Sequence, residues 1–179
     1  MVLGVAIELS TLMLAEAQEV KATRDTFPVP KARPELLFYI QRSTNINTIV
    51  YELNTLSNGR PDPKDPIHIF WIRYAEDGQQ EELSHVQRHF AYGITTKLIR
   101  AGVWEITFVS YAKLKLYLKY SEADKRYYVY VQKTDKEIQL TKIFVKINGG
   151  TFWFPKVDYV ELSGIDPVAG KKMIGTFKP

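Results

Sequence analysis

The chain predicts a mainly β fold, an antiparallel meander forming a barrel or sandwich, with one amphipathic helix at about residues 81–92. Three observations carry that expectation. Short runs of apolar, β-branched and aromatic residues recur, several in strict apolar/polar alternation, and Gly, Pro, Asn and Asp separate them. Eleven Tyr, nine Phe and three Trp, with many Val, Ile and Thr, suit pleated, half-buried surfaces. Past the N-terminus, only EELSHVQRHFAY shows convincing helical spacing.

In chain order, Val2 to Ala15 is a largely apolar run, too short for an ordinary membrane span. Ala15-Glu16-Ala17 follows as a small-x-small sequence and a polar segment comes next, so residues 1–17 read as a secretory signal peptide. Glu8 inside the run, and the absence of Lys or Arg before it, depart from that pattern. An amphipathic N-terminal helix packed on the domain is the alternative. Residues 18–33 read as a linker and lead-in segment, with Pro28, Pro30 and Pro34 holding its end extended. Residues 34–179 then form a single β-rich domain, long enough for a sizeable core.

The first strand is expected over Leu36–Gln41 and the second from about Thr48 to Leu53, with Gln41-Arg42-Ser43-Thr44-Asn45-Ile46-Asn47 as a polar centre that turns the chain. Asn54–Pro66 is a loop with Asn58-Gly59 and three prolines. Ile67–Tyr74 is a third strand whose apolar residues fall on both parities, which implies burial on both faces. Arg73 continues the face of Ile67, Ile69 and Trp71, so it needs a partner or an opening to solvent. In the helix Leu83, Val86 and Phe90 take helical spacing, acids occupy the first turn and Gly93 ends it. From Thr95 the meander continues. Trp104, Ile106 and Phe108 share a face, and Leu114, Leu116 and Leu118 alternate with Lys115, Tyr117 and Lys119. Tyr127, Val129 and Val131 alternate with Tyr128, Tyr130 and Gln132. Ile138–Ile147 ends at Asn148-Gly149-Gly150, and Val157–Leu162 and Lys172–Phe177 flank GIDPVAG. Eight or nine short strands of this kind imply a barrel or sandwich.

Cysteine is absent, which excludes disulfides, thiolate chemistry, cysteine-ligated metals and a lipid-anchored N-terminal Cys. The formal charge is +4; removal of residues 1–17 takes Glu8 and Glu16 and no basic residue, giving +6. Such modest basicity allows acidic partners without specifying one.

Phe27-Pro-Val-Pro-Lys31, LLFYIQRSTNINTIVYELN (36–54), PIHIFWIRYAEDGQQEELS (66–84), QRHFAYG (87–93), KIFVKINGG (142–150) and GIDPVAGK (164–171) together resemble a bacterial family known only as a domain of unknown function. The resemblance spans roughly Phe27 to Pro179. It implies no activity. It supports the signal-peptide reading, since many members look exported. It also sets His85 and His89 outside the family's usual pattern while the neighbouring Gln-Arg and Ala-Tyr-Gly lie within it.

Four groups of residues invite chemistry. Glu82, His85 and His89, at i, i+3 and i+7, would share a helix face as a weak transition-metal site; the plainer reading is a solvated face. Arg42, Asn45, Asn47, Arg73, Arg88 and Tyr92 suit recognition of a carboxylate, phosphate or sugar hydroxyl, with Trp71 as a stacking platform; alternatively they cap turns and tie helix to sheet. Lys113, Lys115, Tyr117 and Lys119, with Tyr128 and Tyr130, interleave basic and aromatic groups. Residues 113–142 hold eight Lys/Arg and four Asp/Glu. That pattern fits single-stranded nucleic acid, but equally the wet side of half-buried strands. Asn148–Pro155 is a glycine turn followed by three aromatics, without the helix start and lysine of a phosphate loop; it reads as core closure by large rings or as an exposed aromatic edge for a sugar or lipid.

These features imply an exported, periplasmic or secreted, non-catalytic binding or envelope-associated domain. Its ligand is a small anionic or hydroxyl-rich molecule, glycans included. No cofactor, no nucleic acid and no transmembrane segment in the mature chain are expected. The alternatives are a metal-dependent hydrolase using Glu82, His85 and His89, and a structural protein-interaction module with an exposed strand edge or aromatic patch.

Overall fold

A computed structural model of the chain describes residues 27–133, 136–151 and 154–179. The expected signal peptide, residues 18–26 of the linker, and Phe152 and Trp153 lie outside the described residues. The strands are β1 (Leu36–Arg42), β2 (Asn45–Leu53), β3 (Ile67–Arg73), β4 (Gln79–Glu82), β5 (Ile94–Arg100), β6 (Val103–Phe108), β7 (Tyr111–Ser121), β8 (Arg126–Lys133), β9 (Lys136–Gly150), β10 (Pro155–Ile165) and β11 (Lys172–Phe177). One helix, α1 (His85–Phe90), sits between β4 and β5. No helix among the described residues is long and apolar enough to cross a membrane.

β9 organises the sheet. Its residues 142–145 pair with β1 and β10 at once, and its Gln139 pairs with β8 and β10 at once. β1 and β8 therefore take successive stretches of one edge of β9, while β10, followed by β11, takes the other. Two four-stranded wings, β1 to β4 and β8 to β5, leave the shared edge and curl toward one another as a mixed half-barrel. The mainly β class, with a barrel-or-sandwich architecture, is what the alternation predicts. One pairing departs from an antiparallel meander, because β1 runs parallel to β9. No tight hairpin joins those distant strands, so nothing local imposes the antiparallel sense.

Facing residues of a strand pair lie on the same side, and the inner side fills the core. Phe38 and Tyr51 are cross-strand partners with rings stacked at 4.3 Å. Phe108, from the opposite wing, meets them edge-on at 6.3 and 5.9 Å. Burying each such side chain contributes about 1.5–3 kcal/mol. Ile67, Ile69 and Trp71 face this core, while Phe70 is buried on the outer face beneath the Arg33 guanidinium, 5.4 Å away. Both sides of β3 are covered, as its two-parity pattern implies. The lead-in straps the outer face. Phe27 packs edge-on against Phe144 at 5.8 Å, Gln41 Nε2 donates to the Pro28 carbonyl at 2.8 Å, and Arg33 pairs with Glu52.

Two boundaries differ from the sequence expectation. Asn45 and Asn47 belong to β2, so the polar centre shrinks to a two-residue turn, Ser43-Thr44, with Arg42 opposite Asn45. The helix covers 85–90 rather than 81–92, because Gln79–Glu82 pair with β3 as an edge strand. Ser84 then starts α1. Its hydroxyl accepts from the Gln87 amide while Gln87 Oε1 accepts from the Ser84 amide, a reciprocal cap. Just beyond the helix, at Gly93, a Cβ would fall 1.8 Å from the Arg88 carbonyl oxygen, so no side chain fits.

Candidate ligand cavity

Past Phe108 the wings separate, and the open end of the half-barrel holds a cavity of about 780 Å³, within the usual size of small-molecule sites. Its floor follows from strand register. Ile40 and Arg42 of β1 face the cavity beside their β9 partners Ile143 and Val145. Val145 and Ile147 are in turn opposite Val160 and Val157 of β10. A three-residue spacing would put those valines on opposite faces, but the register shifts at Asp158, and this bulge returns both to the inner side. Leu114 and Tyr111 of the facing wing, Val86 and Phe90 of α1, and Phe177 of β11 complete the walls.

α1 buries none of its residues and is held over the opening by polar contacts at its sides. Trp71 Nε1 donates to Gln87 Oε1 at 3.3 Å, Ser110 Oγ to the Ala91 carbonyl at 2.7 Å, and the Tyr51 hydroxyl to the Tyr92 carbonyl at 2.7 Å.

Arg42 is the one charged side chain among the residues lining the cavity. Its guanidinium carbon lies 5.1 Å from the Trp71 ring centre and 5.2 Å from that of Tyr92, within cation–π range. Among the described residues no carboxylate pairs with it. Its Nε is buried and without a hydrogen-bond partner. Burial raises the Tyr92 hydroxyl above its ordinary pKa, against the opposing pull of the Arg42 cation. At neutral pH that hydroxyl is therefore a proton donor.

The structure thus brings Arg42, Trp71 and Tyr92 together. It gives the other candidates different surroundings. Arg73 pairs with Glu76 at 2.5 Å and Glu81 at 3.4 Å, and Arg88 with Glu82 at 3.5 Å. Asn45 Oδ1 accepts from the Asn47 amide at 2.7 Å, and buried Asn47 Oδ1 accepts from the Ala75 amide at 2.8 Å, so both brace backbone. Glu82 lies on β4, not on the helix, and bonds His68 Nε2 at 2.7 Å. His85 and His89 stack on one another at 3.9 Å, with His89 Nδ1 donating to the His85 carbonyl at 2.9 Å. Among the described residues no group of three or more His, Cys, Asp or Glu side chains is placed to hold a metal ion. On the basic and aromatic outer face, Lys115 pairs with Glu105 at 3.2 Å, and Lys119 pairs with Glu137 and lies 4.8 Å from the Tyr130 ring.

Sequence spacing assigns Val86 and Phe90 to a core stripe with Leu83. Only Leu83 is buried; the other two stand exposed at the cavity. The signal that separates them is Ser84, whose capping leaves Leu83 outside the helix.

No curated protein and no solved structure matches the chain. A family model described as Domain of unknown function (DUF4833) matches residues 38–175.

Proposed function

The chain belongs to the family described as Domain of unknown function (DUF4833), and we propose that it is an exported binding domain for an amphiphile, with an apolar body in the cavity and one anionic group at Arg42. The observation that carries this reading is a single cation, unpaired by carboxylate, in the wall of a mostly apolar cavity. A carboxylate, sulfate or phosphate there accepts from the guanidinium while Tyr92 offers a second donor, and charge-assisted bonds away from water outrank neutral ones. Apolar walls favour the anionic amphiphile over a hydroxyl-rich ligand or glycan. Export is supported by the apolar run at residues 2–15 followed by Ala15-Glu16-Ala17.

Isothermal titration with dodecanoate, dodecanol and dodecyltrimethylammonium tests the ligand class. Dodecanoate is expected to bind best, and Arg42→Gln to weaken it about 10- to 150-fold, since hydrogen bonds to a charged group are worth about 1.5–3 kcal/mol. Equal affinity for dodecanoate and dodecanol removes the role of Arg42, and no heat from any of the three sinks the cavity reading. Mass spectrometry of the exported product checks the compartment: a mature chain starting at Gln18 is expected, and a product found only inside the cell with Met1 intact rejects export.

A further inference from the structure

Resting on that cavity reading, we infer that the rim of the cavity docks on an anionic lipid bilayer, from which the amphiphile is taken or to which it is delivered. Two rings on separate elements mark the rim. Phe90 of α1 leaves 69% of its surface open and Phe154, between β9 and β10, leaves 82%, yet both also line the cavity. A residue that does both sits on the lip of the opening. Val86, one turn from Phe90 and 40% exposed, extends the same lip. Single exposed apolar side chains are ordinary on any protein. Here three surround one apolar opening and are continuous with its interior, which is the signature of a contact surface.

Charge selects the kind of surface. Two of the segments that frame the mouth expose a lysine, Lys113 after the β6–β7 turn and Lys156 after the β9–β10 turn. Asp158 is the one acid on those segments among the described residues. A positive frame around an apolar lip matches a bilayer with anionic headgroups, where the rings enter the interface and the lysines meet the headgroups. A second copy of this chain would set one positive rim against another. The ligand argues the same way. Each methylene of an amphiphile favours lipid over water, so its accessible store is the membrane, and a mouth that meets the membrane avoids the aqueous step.

The test is cosedimentation of the purified protein with vesicles of phosphatidylcholine alone and of phosphatidylcholine mixed equally with phosphatidylglycerol. Binding is expected to the mixed vesicles, to weaken with added salt, and to fall about tenfold or more in Phe90→Ser/Phe154→Ser as two rings leave the interface. Both positions are exposed, so this variant keeps its fold, which thermal unfolding verifies; since both rings also line the cavity, the separate readout is Lys113→Gln/Lys156→Gln, outside the lining, which should weaken vesicle binding and keep its affinity for dodecanoate. Arg42→Gln should do the reverse, losing dodecanoate and keeping vesicle binding; the two readings therefore fail separately. Docking is overturned by no binding to the mixed vesicles, by vesicle binding that Phe90→Ser/Phe154→Ser leaves intact, or by a dimer in light scattering that the same variant abolishes.

Discussion

At the closed end of the half-barrel, Phe38 and Tyr51 from one wing stack and Phe108 from the other meets both edge-on. At the open end, Val145, Ile147 and Val157 occupy the same inner face with a cavity between them and Leu114 of the facing wing. Hydropathy does not separate the two ends, since both are apolar. Strand length does. β6 and β7 turn back at the Phe108–Tyr111 pair, whereas the β9–β10 ladder continues to Gly150 opposite Pro155. The longer ladder overhangs the shorter wing, and the overhang is the cavity floor.

The most direct way to break this comparison is a pair of truncations read by urea denaturation. Phe38→Ala at the closed end should cost about 3–5 kcal/mol, because the transfer loss and the new cavity add. Ile147→Ala at the open end should cost about 1 kcal/mol or less, because its side chain already borders open space and no new cavity term arises. Equal costs would mean that the open end packs as tightly as the closed one.

Asn47→Ala probes the polar brace below the Arg42 hairpin. It removes the acceptor of the Ala75 amide and should cost about 1–3 kcal/mol, the range for a polar group left unmet in a buried place. Dodecanoate affinity should stay unchanged; a loss there with stability intact would make Asn47 part of the site rather than of its support.

Local pattern made much of this fold legible. Alternation at Trp104, Ile106 and Phe108 and at Leu116 and Leu118 marks the faces that are in fact buried. β4 is hidden in sequence because Gln79–Glu82 is wholly exposed, and an edge strand with no apolar side carries no periodicity. The overhang of β9 and β10 is equally silent, since it depends on the length of one strand relative to another far along the chain. Site chemistry divides the same way. Arg42, Trp71 and Tyr92 are each legible in sequence as candidate site residues, but only the fold brings them together, from β1, β3 and the connection after α1. Arg73 and Arg88 look identical to Arg42 in sequence. Only the pairing of β3 with β4 reveals the acids that occupy them.

Tyr51→Phe sharpens the comparison at the boundary between the two ends, where the hydroxyl of Tyr51 reaches from the core to the Tyr92 carbonyl. The lost bond should cost about 0.5–1.5 kcal/mol. Burial also pushes this hydroxyl well above its ordinary pKa of 10.0, with Tyr92 adding to the rise. Above that ordinary value the unfolded chain sheds the proton while the folded chain keeps it. The unfolded state then binds fewer protons, so stability falls as pH rises. Tyr51→Phe should remove its share of that alkaline decline, a contribution with a limiting slope of about 1.4 kcal/mol per pH unit. An unchanged alkaline slope would show that Tyr51 does not hold its proton beyond the ordinary range.

The smallest effect is expected at the histidines of α1, which lie outside both ends. Each ring is exposed, and the pair is satisfied by stacking and by the bond from His89 Nδ1 to the His85 carbonyl. Glu82, the carboxylate that would complete a metal site, is bonded to His68 of β3 and Arg88 of α1. His85→Ala/His89→Ala should therefore shift stability by no more than about 0.5 kcal/mol, the usual range for surface changes, and leave dodecanoate affinity unchanged. Zinc should raise the Tm of neither protein. A zinc-dependent rise in the parent that the double variant abolishes would mean that Glu82 abandons His68 and Arg88 for an ion, and the helix would then be a second functional centre beside the cavity it covers.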